Sequence, residues 1–304
     1  MSNLDSAVTL LDGAVRLTVP LGFAACGELV AERAGTLNIS VEGMMLGGAF
    51  ASVAAASAVG QPALGLVAGA LVGMAIGWIH GNFSHRLAAN TFVVGLTLNT
   101  LVLGLTGFLI ADHQFNQELI DNTSIPGLSG IPLIGQPLFD QPWPCYLFYG
   151  LIPLTWWLLF KTRWGLEVRA CGENPQAADV SGVQVNRRRR ETLLWCGLMS
   201  GLGGAYLCVC ETGIFNAGMT AGRGFIVIAA VIFGGWTLRG AILGCLLFGG
   251  ADALQLTAQA LGLHATPELL ISAPYILALL AMLFFAKRNR APAALAQPFE
   301  RGLT

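Results

Sequence analysis

From Phe92 to Ala111 the chain carries no charged residue, and from Gly240 to Leu263 it carries only Asp252. A run of about 20 apolar residues can cross the hydrocarbon core of a bilayer as a helix, with its backbone polar groups satisfied inside the segment. The rest of the 304 residues follows the same pattern, being 55% hydrophobic and 11% charged, against roughly 25% charged in an average soluble domain. A soluble globular enzyme, a nucleic-acid binder and a disordered chain are excluded on this ground. A membrane β-barrel is excluded as well, because its strands alternate where these runs are unbroken. The fold expected is an all-α polytopic membrane protein forming one transmembrane domain over residues 1–304.

Breaks of polar, Gly and Pro residues divide the apolar sequence into nine expected spans, near 9–30, 42–60, 62–80, 88–110, 145–160, 193–210, 224–238, 240–262 and 267–286. Residues 1–8 lack a basic start followed by a short apolar core, so no cleaved leader is expected. The loop at 111–144 has no Lys or Arg, only Asp112, Glu118, Asp121 and Asp140. The loop at 161–192 has Lys161, Arg163, Arg169 and the run Arg187 to Arg190. Basic loops stay in the cytoplasm. The loop 161–192 is therefore expected inside, 111–144 outside, the tail 287–304 inside and the N-terminus outside. Arg16 and Arg223 depart from the rule. Gly65, Gly69, Gly73, Gly77 and Gly81 line one face of the third span, a device for close helix packing.

Polar groups inside such segments mark either a pathway or interhelical hydrogen bonds. Three clusters qualify. The break after span one runs from Glu28 and Glu32 through Asn38 to Glu42 and Gly43; Asn90, Thr97 and Asn99 lie in span four; Asp252, Gln255 and Gln259 share one sector of span eight. Gly35 and Gly43 bracket a stretch where a helix can unwind. A weak echo joins Glu28–Phe50 to Glu211–Val231, the latter through Asn216, Gly218 and Gly222. With one break inside and the other outside, spans 1–4 and 6–9 would form an inverted repeat. The histidines (His80, His85, His113, His264) have no catalytic or metal-binding spacing. The seven cysteines read as small buried hydrophobes. No metal site and no catalytic set is expected, and no Gly-x4-Gly-Lys-Ser/Thr loop is present to bind ATP.

The segment TRWGLEVRACGENPQAADVSGV at 162–183 contains Asn174-Pro175, which starts a helix, then the helix formers Ala177 and Ala178, then Gly182 to end it. Either a docking knob for a soluble partner or an ordinary surface turn fits this pattern. Together with ERAGTLNISVEGMMLGGAF (32–50), LTLNTLVLGLTGFL (96–109), SIPGLSGIPLIGQPLF (124–139), AGRGFIVIAAVIFGGW (221–236) and ADALQ (251–255), it resembles membrane permeases of ABC importers of the branched-chain amino acid and ribose type. Within them the sequence is most similar to the second, shorter permease of nucleoside importers that use basic-membrane-protein lipoproteins.

The resemblance implies a multi-pass permease subunit of the cytoplasmic (inner) membrane, surrounded by lipid and not an enzyme. It would translocate a small polar solute, a nucleoside by preference, beside a longer homologous permease. An extracytoplasmic lipoprotein would deliver the cargo, and a cytoplasmic ABC ATPase would hold ATP and Mg, with no cofactor on this chain and no nucleic-acid partner. The coupling element would comprise Gly172, Glu173, Asn174, Pro175, Ala177, Ala178 and Gly182, and the pathway would involve Asn38, Glu42 and Gly43. The rival reading is an autonomous secondary carrier or channel with Glu42 or Asp252 as a proton site.

Overall fold

The computed structural model describes residues 3–111, 115, 117–257, 272, 276 and 291–300. In chain order the elements are α1 (Asn3–Arg33), α2 (Val41–Val59), α3 (Pro62–His85), α4 (Thr91–Ala111), β1 (Asn122–Ser124), α5 (Gly135–Phe139), β2 (Asp140–Pro142), α6 (Trp143–Lys161), α7 (Arg163–Glu173), α8 (Pro175–Val180), α9 (Val185–Tyr206), a π-helical turn (Leu207–Thr212), α10 (Arg223–Phe233) and α11 (Leu238–Thr257). Among the described residues, seven helical segments are long and apolar enough to cross a membrane. They are α1, α2, α3, α4, α6, α9 with its π-helical turn, and α11.

The helix limits follow from local chemistry. Gly60 ends α2 in the left-handed region at φ +71°, and its N–H returns to the Ala56 carbonyl. Pro62 opens α3 at the first position, where its missing N–H costs no hydrogen bond. The seventh expected span, 224–238, is instead an eleven-residue helix, α10. At 1.5 Å per residue it rises about 16 Å, half the thickness of a hydrocarbon core. The chain turns at Gly234 and Gly235, and Gly235 and Trp236 both take positive φ, so an apolar run that reads as continuous is broken there. Of the ninth expected span, 267–286, the described residues include 272 and 276 alone.

Helix α1 is the most enclosed span, and α9 packs on it as well as on α2 and α3. The glycine row of α3 meets a second row on α9. A Cβ at Gly73 would overlap the Gly197 carbonyl, one at Gly77 the Leu193 carbonyl, and one at Gly201 the Gly69 carbonyl. The backbones touch directly, and dispersion between them replaces the hydrophobic drive that lipid removes. Phe23, Met44, Met45, Leu193, Met199 and Phe248 are fully buried, whereas Val67, Leu71, Leu101, Leu105 and Phe108 stand exposed. Such an apolar exterior suits lipid rather than water. Over the loop 111–144, β1 and β2 pair antiparallel, with Asn122 opposite Pro142. The Gln141 amide donates to Asp12 Oδ1 at 2.6 Å, tying this hairpin to α1.

Candidate functional site

Helix α1 ends at Arg33, and the chain then runs without regular structure to Ser40 before α2 begins. A second irregular segment leads from Gly213 to Gly222 and into α10. The two meet at Glu42. Its Oε1 accepts the Thr220 hydroxyl at 2.6 Å and the Gly222 N–H at 2.9 Å, and its Oε2 accepts the Gly224 N–H at 2.7 Å. The first N–H groups of a helix have no intrahelical acceptor and carry a partial positive charge, so a carboxylate is the fitting partner. Gly224 is required, because a Cβ there would clash with the Glu42 backbone.

The far end of α10 is held by α1. Arg33 Nε donates to the Trp236 carbonyl at 2.9 Å, and the Trp236 indole N–H donates to Glu32. Glu32 and Glu42 thus grip opposite ends of a helix about 16 Å long. The break at 34–40 lies in the chain between these two contacts, joining the end of α1 to the start of α2.

Side chains hold much of the break. Asn38 Oδ1 accepts the Ser40 N–H at 3.0 Å and its hydroxyl at 2.7 Å, and Asn38 Nδ2 donates to Cys196 Sγ at 3.2 Å. Ser40 Oγ lies 2.7 Å from His80 Nδ1, and His80 Nε2 lies 2.9 Å from Thr91 Oγ1. Asn99 bridges the break to α2, donating to the Ile39 carbonyl at 2.8 Å and accepting the Gly43 N–H at 2.7 Å. A Cβ at Gly43 would come within 2.8 Å of that Asn99 oxygen. Asn38, Glu42, Gly43 and Asn99 are thereby brought together. Glu28 joins them, accepting the Asn38 N–H at 3.4 Å and the Cys196 thiol at 3.3 Å.

The other sequence candidates stand apart. Asn90 is exposed and caps α4, accepting the N–H groups of Phe92 and Val93, so its role is local. Asn216 is exposed in the irregular segment before α10. Asp252 pairs with Arg223 at 3.7 Å, next to the Glu42-capped helix start. Gln255 is half-buried one turn further along α11, and Gln259 lies outside the described residues. His80 and Trp236 are site residues that the sequence candidates omit, while Glu28 and Ser40 lie within the polar stretch of the break without a role assigned to them. His80 and Trp236 gave no signal by position, and Trp236 lies 204 residues from its partner Glu32.

Arg16 and Arg223, the two exceptions to the charge rule, each have a carboxylate. Arg16 Nε donates to Glu211 Oε1 at 3.1 Å, and its Nη2 to the Cys210 carbonyl at 3.1 Å. Cys210 and Val209 belong to the π-helical turn that ends the α9 span, where the last carbonyls lack an intrahelical partner. The Val209 carbonyl accepts the Ile120 N–H at 2.9 Å, and the Gly213 carbonyl accepts that of Gln117 at 3.1 Å. The loop 111–144 is so tied to the start of the second irregular segment.

The loop at 161–192 contains more helix than its sequence suggests. Thr162 caps α7, accepting the Gly165 N–H at 3.0 Å, and Asn174 caps α8, accepting the Ala177 N–H at 2.9 Å. Gly182 follows α8 at φ +90°. Arg187 to Arg190 lie in the first turns of α9, not in the loop. Glu173, Asn174, Gln176, Ala177 and Gly182 are exposed, and Val180 is 90% exposed. Gly172, Pro175 and Ala178 face inward. Ala178, read from sequence as part of a presented surface, instead packs with Cys171 and Val185. Its small size serves that packing. Burial also pushes the Cys171 thiol up to about 11, in keeping with a cysteine that acts as an apolar filler.

The family described as branched-chain amino acid transport system, permease component, matches residues 10–286. The nucleoside ABC transporter permease protein NupC of Lactococcus lactis subsp. cremoris is 37% identical over 91% of this chain and 92% of its own length. The guanosine ABC transporter permease protein NupQ of Bacillus subtilis is 36% identical over 93% of both chains. A putative glucose ABC transporter permease protein, TsgC13 of Haloferax volcanii, is 35% identical over 87% of this chain and 82% of its own.

Proposed function

Because the chain belongs to the family of permease components of branched-chain amino acid transport systems, we propose that it is the membrane-spanning permease subunit of an ATP-driven importer, with a nucleoside as cargo. The cargo follows from the nucleoside and guanosine permeases among its relatives. The chain is a multi-pass protein of the cytoplasmic membrane and not itself an enzyme. ATP and Mg would be held by a cytoplasmic ABC ATPase, with no cofactor on this chain. An extracytoplasmic lipoprotein would hand over the substrate, and a homologous longer permease would complete the pore.

The observation that carries a transport role is the meeting of two broken segments at Glu42. Half-length helices whose N-termini lie inside the molecule are a recurring way to build a solute path in transporters. In this reading the path is lined by Asn38, Glu42, Gly43 and Asn99, with Asp252 and Gln255 nearby and Asn216 at its outer mouth. The irregular segments before α2 and α10 are equivalent parts of an inverted repeat. The basic loop 161–192 faces the cytoplasm, the loop 111–144 faces outward to the lipoprotein, and α8 docks on the ATPase through Asn174, Gln176, Ala177 and Val180.

The test is uptake into proteoliposomes holding both permeases, the ATPase and the lipoprotein. Guanosine or another nucleoside should accumulate only with ATP inside and lipoprotein outside. Accumulation by this chain alone under an ion gradient would replace the importer with an autonomous carrier. ATP-driven uptake of glucose but not of nucleosides would keep the importer and correct its cargo.

A further inference from the structure

Among the described residues Arg189 is the largest fully buried side chain, with 0% exposure. A guanidinium taken out of water needs full hydrogen bonding to persist. Three backbone carbonyls from three separate parts of the chain accept its N–H groups: Nε donates to Ala34 at 3.0 Å, Nη1 to Gln297 at 2.7 Å and Nη2 to Cys171 at 3.4 Å. Ala34 follows the last turn of α1, and Cys171 lies in the last turn of α7. Both ends carry partial negative charge from unpaired carbonyls, which favours a cation. The planar fork places its five donors on three nitrogens and so reaches three separated acceptors, whereas a lysine ammonium donates from a single atom.

The third partner belongs to the C-terminal segment 291–300, which lies across this junction. The Ala294 N–H donates to the Gly172 carbonyl at 2.8 Å, and the Ala296 N–H to the Gly35 carbonyl at 3.0 Å. Asn186 Nδ2 donates to the Phe299 carbonyl at 3.3 Å, and Phe299 packs on the cluster of Cys171, Ala178 and Val185 beneath α8. The α7 end itself presses on the α1 end, since a Cβ at Gly172 would overlap the Arg33 carbonyl. Gly35, where the 34–40 break begins, sits at φ +88°, and a Cβ there would come within 2.7 Å of Arg189 Nη2.

We propose that Arg189 is a positioning residue which, with segment 291–300 as a strap, fastens the base of the α7–α8 loop to the start of the 34–40 break. A displacement of α8 is then delivered to the broken segment instead of being absorbed in the loop. This rests on the reading of α8 as the ATPase-docking element. It makes the strap and Arg189 part of energy coupling although neither is on the docking face.

The experiment compares three changes in the assembled complex: Arg189→Gln, deletion of residues 291–304, and Ala177→Arg on the exposed face of α8. Nucleoside imported per ATP hydrolysed is measured in proteoliposomes, and amide exchange is followed at Ala294 and Ala296. Arg189→Gln should leave ATPase association intact, speed exchange at both amides about tenfold, and lower import per ATP by about tenfold. Arg189→Lys should recover part of the loss. The deletion should uncouple in the same way with Arg189 in place, and it decides the matter if Arg189→Gln does not fold. Ala177→Arg should instead abolish ATPase association. Unchanged import per ATP in the deletion variant overturns the proposal, even where Ala177→Arg behaves as expected. Retained ATPase association in Ala177→Arg overturns the docking reading on which it rests.

Discussion

Glu42 does for α10 what a capping residue does for an ordinary helix, except that it reaches across 180 residues of sequence to do so. Glu42→Ala would leave the N–H groups of Gly222 and Gly224 without their acceptor, at no more than about 1–3 kcal/mol each, since both bonds are only partly buried. Glu42→Gln keeps an acceptor oxygen but loses the charge facing the helix start, worth about 0.3–1 kcal/mol in ordinary settings. The expected order of uptake is therefore wild type, then Gln, then Ala. The Ala variant should also unfold at lower temperature in detergent. Equal uptake by all three would remove Glu42 from the path. Sequence showed that this carboxylate was expensive and so marked a pathway or a partner. It could not show that the partner was a helix start far along the chain, because backbone N–H groups are common to every residue.

At the scale of the helices, the glycines divide into those that touch a neighbour and those that do not. Gly73 lies against Gly197 and Gly201, whereas a Cβ at Gly104 or Gly107 of α4 would meet nothing within 4 Å. Gly73→Ala must push α3 and α9 apart, at about 1–3 kcal/mol for overpacking. Gly104→Ala should be neutral or mildly stabilising, since alanine is the better helix former. Thermal unfolding of the two variants in the same detergent measures the difference, and equal midpoints would contradict the packing of α3 on α9. The α3 row was legible because a four-residue repeat marks one face whatever lies opposite. The inward turn of Ala178 was not, since alanine suits both a docking surface and a small gap. The shortness of α10 was hidden for a similar reason: its apolar residues continue into Gly234 and Gly235, and a glycine pair inside an apolar run can be packed helix or a turn.

For the molecule as a whole, the distribution of charge between the loops at 111–144 and 161–192 sets the expected orientation. All seven native cysteines are buried, so introduced ones can be read against a quiet background. Ser129→Cys should label from outside intact cells, and Gln176→Cys only after permeabilisation. The reverse result would invert the protein and detach α8 from the cytoplasm. The pairing of Arg16 with Glu211 and of Arg223 with Asp252 bears on what drives the cycle. A single charge displaced through the full field feels about 2.3 kcal/mol per 100 mV. A guanidinium and carboxylate that travel together feel almost none of it. With an uncharged nucleoside as cargo, import should scarcely respond to membrane potential set by a potassium gradient and valinomycin. Glu211→Gln leaves Arg16 unmatched, and the rate of import should then become voltage-dependent: in the proposed importer the pairs would let the permease move within an energised membrane without becoming a voltage sensor.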